Sequence, residues 1–422
     1  MARHLKTGKT PDQRSTDAKK VHDIVSAILE DLEARGETAL REISEKFDHW
    51  NPPSFRLSEQ EIDHCLSQLS RQNLDDIKFA QTQVRNFAQA QRSSIMDIEV
   101  ETLPGVILGH KNIPVESVGC YIPGGKYPLV ASAHMSVVTA KVAGVGRVIA
   151  SAPPFHGKPS PAVVAAMHLG GADEIYCMGG VQAIAAMALG TKNIDPVAMV
   201  VGAGNAYVAE AKRQVFGQVG IDSIAGPSEV LILADENNNP EHIAIDLLAQ
   251  AEHDEDAQSI LITDSGTLAA AVAGAVDAIL PTLPRARIAT ASWVNNGAII
   301  LVRNWDEAVD LANRIAPEHL QLMLAEPDKL FDQIRHAGAI FLGRSTPEAI
   351  GDYVAGPNHV LPTSGTARFA SGLSVYDFMK RTTYLSVPPR ALKVIGPAAV
   401  TLAEAEGLTA HARSVSARLA KP

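Results

Sequence analysis

The sequence has few cysteines and no long apolar segment. Its three cysteines are scattered and show no metal-binding spacing: Cys65, Cys120 and Cys177. Such a set fits a reducing compartment, where disulfides do not persist. No run of about 18 apolar residues occurs, and the first residues lack the apolar core of a signal peptide. We therefore expect a cytoplasmic protein that is neither exported nor inserted into a membrane.

Blocks of basic residues are also missing. The net charge is -10 at pH 7, and no Lys/Arg stripe of the kind that binds phosphate backbones is present. With 46% hydrophobic and 20% charged residues, the composition is that of a folded globular protein. A chain of 422 residues exceeds what one core usually fills. We expect two main domains and a small-molecule substrate, with no nucleic-acid or membrane partner.

Strands alternate with helices in two series, at residues 118–216 and 230–342. This alternation predicts parallel sheets, so the fold class is α/β, with two Rossmann-like domains facing a cleft. A helical region precedes the first series, and the pattern becomes helical again beyond Lys380. The predicted division is an arm at 1–20, a first α/β domain at 21–120 plus 229–378, a second at 121–228, and a helical tail at 379–422. The tail is too short to bury its own core, so it must lie on another surface, such as a partner subunit.

Glycines follow three strands of the first series, within residues 123–125, 179–182 and 202–205. Glycine allows the backbone to approach a phosphate at the start of a helix, as in dinucleotide sites. None of the three completes G-x-G-x-x-G, since Tyr207 occupies the last position, and each glycine turn could instead simply reverse the chain. Three such turns at consecutive strand ends favour a binding edge.

Gln250 and His253 lie three residues apart at the end of a predicted helix that begins at Pro240. Residues at this spacing share a helical face, and an imidazole with an amide oxygen can hold a divalent metal. The simpler interpretation is a solvated helix end. Asp352, in a Gly/Pro-rich loop, is the natural third oxygen ligand.

Glu318 and His319 follow another predicted helix. A histidine titrates near neutral pH and burial can raise the pKa of a carboxylate, so this pair can divide the proton transfers of an oxidation. Adjacent Glu-His pairs also occur by chance on surfaces. In the tail, Glu406 and His411 are either an exposed helix end or a strap that closes over a site.

Eight segments of the chain occur in the order that is found in a known family: SVGCYIPGG, GGVQAIAA, NAYVAEAKRQVFG, IAGPSEVLILAD, LLAQAEHD, APEHL, IGDYVAGPNHVLPT and AEAEGLTAHARSV. Over nearly its whole length, the chain therefore resembles the histidinol dehydrogenase family. The resemblance implies an NAD-dependent oxidoreductase of histidine biosynthesis, which converts L-histidinol through the aldehyde to L-histidine with two NAD. It also implies a zinc-containing homodimer with shared active sites.

The resemblance assigns roles to particular residues. Zinc would be bound by Gln250, His253 and Asp352, together with His411 of the partner subunit. His319 would be the base of the alcohol step, and Glu318 would help water to attack the aldehyde. The remaining matches are NAD contacts at Tyr121, Gln182 and Asn205, and substrate contacts at Ser228, Glu348, His359 and Glu406 in addition to the zinc ligands and His319.

One segment departs from the family pattern. Residues 126–135, which include Lys126, Tyr127 and His134, look more like the sulfopropanediol dehydrogenases, NAD-linked relatives that oxidise a dihydroxypropane sulfonate. A lysine and a tyrosine near the cofactor turn suit an anionic substrate. The alternative substrate is therefore an anionic diol such as 2,3-dihydroxypropane-1-sulfonate.

Two hypotheses lie outside this reaction class. A cysteine-dependent aldehyde dehydrogenase needs a thiolate opposite the nicotinamide, and Cys120 is the candidate. A non-enzymatic metal-binding or scaffold protein would leave Glu318 and His319 without a purpose.

Overall fold

The computed structural model of the chain describes residues 3–6, 12–124 and 127–420. Its largest sheet, the six-stranded sheet, has the order β1-β11-β10-β9-β12-β13. All neighbours are parallel except the edge strand β1. The strands are β1 (Arg3–Lys6), β9 (Glu229–Ala234), β10 (Gln258–Thr263), β11 (Ala298–Leu301), β12 (His319–Met323) and β13 (Ala339–Leu342).

A second, wholly parallel sheet, the five-stranded sheet, has the order β6-β5-β4-β7-β8. Its strands are β4 (Ser117–Tyr121), β5 (Arg147–Ala152), β6 (Glu174–Cys177), β7 (Met199–Val201) and β8 (Gly220–Ile221). A third, antiparallel sheet has the order β14-β3-β2. It contains β2 (Ile98–Leu103), β3 (Val106–Pro114) and β14 (Met379–Ser386).

Helices cover both parallel sheets. Those before or within the five-stranded series are α1 (Asp12–Arg35), α2 (Glu37–Asp48), α3 (Glu59–Ser67), α4 (Arg71–Ser93), α5 (Val130–Ala133), a π-helix (His134–Val138), α6 (Thr139–Ala143), α7 (Pro161–Gly170), α8 (Gly180–Leu189) and α9 (Ala206–Val215). Those of the six-stranded series are α10 (Pro240–Ala251), α11 (Gly266–Ile279), α12 (Ala286–Asn296), α13 (Trp305–Ile315), α14 (Asp328–Phe331) and α15 (Glu348–Tyr353). Short 3-10 turns lie at Leu280–Thr282 and Thr366–Arg368, and the tail forms α16 (Pro389–Ala405) and α17 (Thr409–Leu419).

The predicted α/β class, with two parallel sheets, a helical N-terminal region and a helical tail, is confirmed. Strands such as β9 are buried on both faces over Val230–Ala234, as expected for parallel strands covered by helices. Among the described residues, no helix combines the length and the apolar character needed to cross a membrane.

The N-terminal helices lie on a different sheet from the one expected. The predicted first domain groups residues 21–120 with 229–378, whereas Val25 and Leu32 of α1 pack in one core with Tyr176 and Ile184 of the five-stranded series. The apolar stripe of α1 identifies a buried face but carries no information about which sheet covers it. The domain boundaries themselves stay a prediction.

Four strands were not anticipated: the short edge strands β1 and β8, and the strands β12 and β14. Strand β12 lies between β9 and β13 in the six-stranded sheet, and its sequence HLQLM alternates polar and apolar residues that are all buried. Strand β14 occupies Met379–Ser386, so the expectation that the chain becomes helical directly beyond Lys380 was wrong. In the structure β14 pairs with β3 along its whole length, and the helical tail begins at Pro389.

Candidate active site

Residues 358–378 connect the two parallel sheets beside the predicted catalytic pair. The amide of Asn358 donates to the Met135 carbonyl (2.7 Å) on the five-stranded side. The next residue, His359, lies against His319 at the start of β12. Val360 then returns to the apolar core of the five-stranded sheet. A candidate catalytic side chain of one sheet therefore meets a residue that is fixed by the other sheet.

The His319 imidazole has a defined tautomer. Its Nδ1 lies 2.8 Å from the Glu229 carbonyl, which can only accept, so Nδ1 carries the proton and Nε2 is the unprotonated nitrogen that can act as a base. Burial, with a smaller contribution from the neighbouring His359, lowers the pKa of His319 to about 3. The ring is therefore neutral across the range in which most enzymes work.

His319 belongs to a three-residue cluster with Glu348 and His359. The Nε2 atoms of the two histidines are 2.9 Å apart, and His359 Nε2 donates to Glu348 Oε1 at 2.9 Å. The two rings stack with centroids 4.6 Å apart. Burial alone would raise the pKa of Glu348, but the hydrogen bond from His359 and the charges of both histidines outweigh it and lower that pKa to about 2. Glu348 is therefore a buried carboxylate that can stabilise a protonated imidazole.

The pKa of Glu318 is shifted upwards, in the opposite direction to the pKa values of Glu348 and His319. Its side chain is buried, and burial raises its pKa well above the ordinary value, against the hydrogen bond that Glu229 N donates to Oε2 at 2.9 Å. The charges of Glu229 and Glu348 raise that pKa further, while a hydrogen bond with Ser228 lowers it. The adjacent acid and imidazole are thus shifted in opposite directions, which is the pattern of a pair with separate proton-transfer roles.

Gln250 and His253 lie at the end of α10, close to this cluster. The helix ends at Ala251, and His253 occupies the following turn, where its amide donates to the Gln250 carbonyl at 3.2 Å. Gln250 is buried, and its Oε1 has no hydrogen-bond partner among the described residues. A buried amide oxygen that accepts no hydrogen bond is uncommon, and such an oxygen can serve as a metal ligand. The donor set therefore fits a metal ion at this position.

Asp352, on α15, completes the set of predicted ligands within one chain. Burial raises the pKa of Asp352. The nearby His359 and His253 lower this pKa and the nearby Glu348 raises it, so Asp352 lies in the same site as these three residues. Geometry alone selects a different metal-binding group, since ligand atoms of His319, Glu348 and His359 lie within 4.8 Å of one another. Those atoms are hydrogen-bonded to one another, whereas Gln250 Oε1 accepts no hydrogen bond within the described residues. We therefore favour a metal site at Gln250.

Glu406 and His411 lie away from this cluster. Both are exposed, and no hydrogen bond or ion pair in the described part of the chain links either of them to the residues around His319. Helices α16 and α17 pack on each other, with Leu419 and Val415 close to Gly396. The structure of a single chain therefore does not bring these two residues into the site.

The three predicted NAD contacts lie at the carboxyl edge of the five-stranded sheet. Tyr121 ends β4, and its hydroxyl accepts from Gly180 N at 3.1 Å. Gln182, on α8, donates to Asp48 (2.9 Å), a partner that the sequence did not suggest. Asn205 caps α9 through its side-chain oxygen. The strand order reverses between β4 and β7, and such switch points form the ligand crevice of parallel sheets.

The residues of the departing segment have different surroundings. His134 is buried in the π-helix, with its Nδ1 3.2 Å from Gln81 Nε2, so it is a core residue. Tyr127 has the guanidinium of Arg285 over its ring, 3.1 Å from the centroid, and nothing in the sequence signalled this pair. Lys126 lies outside the described residues.

The Cys120 thiol is poorly suited to nucleophilic catalysis. It is fully buried, and burial raises its pKa to about 12. A nucleophilic cysteine needs an accessible thiolate. The structure therefore gives no support to a cysteine-dependent aldehyde dehydrogenase.

Comparison with known proteins places this fold and site in a family. The family model for histidinol dehydrogenase matches residues 12–419. A histidinol dehydrogenase homolog of Shouchella clausii is 50% identical over 99% of each chain, and the histidinol dehydrogenase of Rhizobium meliloti is 52% identical over 95% of this chain and 93% of its own. A crystal structure of histidinol dehydrogenase from Elizabethkingia anophelis superimposes with a TM-score of 0.89 at 34% identity, covering 99% of this chain and 98% of that one.

These matches define the protein as an NAD-dependent oxidoreductase that acts on CH–OH groups. More narrowly, the chain belongs to the histidinol dehydrogenase family. The names of the relatives do not favour the sulfopropanediol alternative.

Proposed function

We propose that the protein oxidises L-histidinol through the aldehyde to L-histidine, and that the two hydrides pass to two NAD molecules. The observation that carries the proposal is the pair Glu318 and His319, a buried carboxyl group next to a neutral imidazole whose Nε2 is unprotonated. The names of relatives that share half of the sequence support the choice of substrate. The proposed cellular setting is histidine biosynthesis in the cytoplasm.

In the alcohol step, His319 Nε2 takes the hydroxyl proton while the carbinol hydride leaves for the nicotinamide. The resulting imidazolium is stabilised by Glu348, whose Oε1 lies 3.7 Å from Nε2. His359, hydrogen-bonded to both groups, holds them in place and contacts the substrate. Tyr121, Gln182 and Asn205 would hold NAD at the edge of the five-stranded sheet, where it would supply the hydride acceptor.

In the aldehyde step, Glu318 accepts a proton from the attacking water, and the second hydride then leaves the hydrated carbon. A buried carboxylate with a raised pKa is a stronger base than an exposed one, so the environment of Glu318 suits this role. Ser228, which is hydrogen-bonded to Glu318, is proposed to contact the substrate.

We propose that zinc is bound by Gln250, His253, Asp352 and His411 of the partner subunit. The buried Oε1 of Gln250, which has no hydrogen-bond partner within residues 3–6, 12–124 and 127–420, supports this assignment. Nitrogen and oxygen donors of this kind suit zinc, which when bound would hold the substrate by its polar groups between the two oxidations. The same arrangement requires a homodimer in which the tail of each chain brings Glu406 and His411 to the other chain's site.

The test is an assay of NAD reduction with zinc-loaded protein against histidinol, histidinal and dihydroxypropane sulfonate. We expect two NADH per histidinol and one per histidinal. Turnover of the sulfonate alone would overturn the substrate assignment, and no NAD reduction with any alcohol would overturn the enzyme assignment in favour of a metal-binding scaffold.

A further inference from the structure

A buried ion pair lies beneath the cofactor edge. Lys212 is on α9 and Asp222 follows β8, and their side chains are 1% and 3% exposed. The Lys212 ammonium contacts Asp222 Oδ1 directly. Two buried charges are costly unless each also has hydrogen-bond partners. Both find those partners in a single glycine.

That glycine is Gly202, the first residue after β7. Its carbonyl accepts from Lys212 Nζ at 2.8 Å, and its amide donates to Asp222 Oδ2 at 2.8 Å. Its φ is +120°, and a Cβ at this position would lie 2.1 Å from the Tyr121 carbonyl oxygen. Gly202 is thus held from both sides, in a conformation that other residues rarely adopt, against the end of β4.

Gly202 begins the turn that leads into α9. Three residues later, Asn205 caps the helix by accepting from the amides of Tyr207 and Val208. Lys212 belongs to the same helix. The ion pair therefore fixes the position of α9, of the end of β7 and of the start of the turn at residues 202–205 relative to Tyr121. Apolar side chains could fill this space, but only charged or polar groups can bind the amide and the carbonyl of Gly202 at once.

We propose that Lys212 and Asp222 are positioning residues for the dinucleotide-binding turn at residues 202–205. They do not contact the cofactor; they hold the turn and the start of α9 in the geometry that receives NAD. This inference rests on the proposed function, in which the turn is an NAD contact.

The test uses the double variant Lys212→Met/Asp222→Asn, which removes both charges together and so leaves neither unpaired. We expect the KM for NAD and the Kd for NADH, measured by fluorescence titration, to rise roughly tenfold, which corresponds to the net contribution of about one hydrogen bond. The KM for histidinol should stay within about twofold of wild type. Lys212→Arg, which keeps the charge, should recover part of the NAD affinity.

Arg147→Met is the matched control. Arg147 begins β5 at the opposite edge of the same sheet, where its Nε donates to Glu174 Oε1 at 2.7 Å. We expect this variant to lower the melting temperature and leave the NAD parameters unchanged.

A double variant that loses thermal stability as the control does, with unchanged NAD parameters, would overturn the proposal. So would an equal rise in the KM for NAD and for histidinol, which would show general loosening. If the double variant does not fold, the Lys212→Arg variant is the test. A folded Lys212→Arg protein with a lower melting temperature and unchanged NAD affinity would overturn the proposal. A wild-type protein that does not bind NAD at all would instead overturn the proposed function.

Discussion

The two parallel sheets use opposite edges. The candidate cofactor residues lie where the strands of the five-stranded sheet end, as the general rule for such sheets predicts. The candidate catalytic residues lie where the strands of the six-stranded sheet begin, since Glu229 is the first residue of β9 and His319 the first of β12. Similar topology therefore does not determine where the chemistry occurs, and loop residues such as His359 decide it.

The largest effects in the comparison of the two sheets are expected from substitutions of Glu318 and His319, at the start of β12. We expect His319→Ala to lower alcohol oxidation by about 10²- to 10⁴-fold, the usual cost of a lost general base. Glu318→Gln should affect aldehyde oxidation more than alcohol oxidation. The measurement is the rate of each half-reaction with histidinol and with histidinal, and equal losses in both steps for both variants would contradict the division of roles.

The metal prediction concerns the same edge of the six-stranded sheet. Gln250 Oε1 is buried and accepts no hydrogen bond from any residue that the structure describes, and His253 lies beside it. His253→Ala should therefore lower zinc occupancy and activity together, by about tenfold or more. Elemental analysis gives the occupancy. The matched control is the exposed His242 on the same helix, because His242→Ala should change neither quantity. Unchanged zinc in His253→Ala would count against the assignment.

Mixing two inactive proteins tests whether one site uses two chains. If the tail is exchanged, a dimer of one His253→Ala chain and one His411→Ala chain has one site with both lesions and one intact site. With random reassortment about half of the dimers are mixed, so activity should recover to about a quarter of wild type. If subunit exchange is verified and the mixture keeps only the parents' residual activity, His411 acts within its own chain.

A second buried histidine, His134, allows the effect of burial on a histidine to be measured apart from a role in catalysis. Burial lowers the pKa of His134, on the five-stranded side, to about 4. Between about pH 6.5 and 4 the unfolded chain binds a proton that the folded chain does not, so the free energy of unfolding should fall by about 1.4 kcal/mol per pH unit as the pH falls. His134→Asn, which keeps an acceptor for Gln81, should reduce this slope by that amount.

Urea unfolding at several pH values measures the slope, with activity at pH 8 as the control. We expect His134→Asn to keep most of the wild-type activity, in contrast to His319→Ala. An unchanged slope would show that His134 does not titrate in this range.

Much of the fold follows from the sequence because its signals are local. The alternating apolar strands and helices predicted two parallel sheets, and the turns at residues 179–182 and 202–205 predicted a binding edge. Candidate site residues, which stay predictions, followed from short motifs around Gln250, Glu318 and Asp352. These features depend on neighbours within a few residues, which the sequence displays directly.

Other features depend on residues that are distant in the chain. His359 lies 40 positions beyond His319, yet their Nε2 atoms are 2.9 Å apart. The sequence did not predict β12 because His319 and Gln321 are polar. Their burial depends on hydrogen-bond partners that are distant in the chain; Gln321, for example, donates to Asp246. The pKa shifts of Glu318 and His319 likewise arise from burial. The sequence by itself determined which side chains were available and that two parallel sheets would form. The tertiary structure decided which strands complete the sheets and which side chains meet, since long-range packing brings them together and removes them from water.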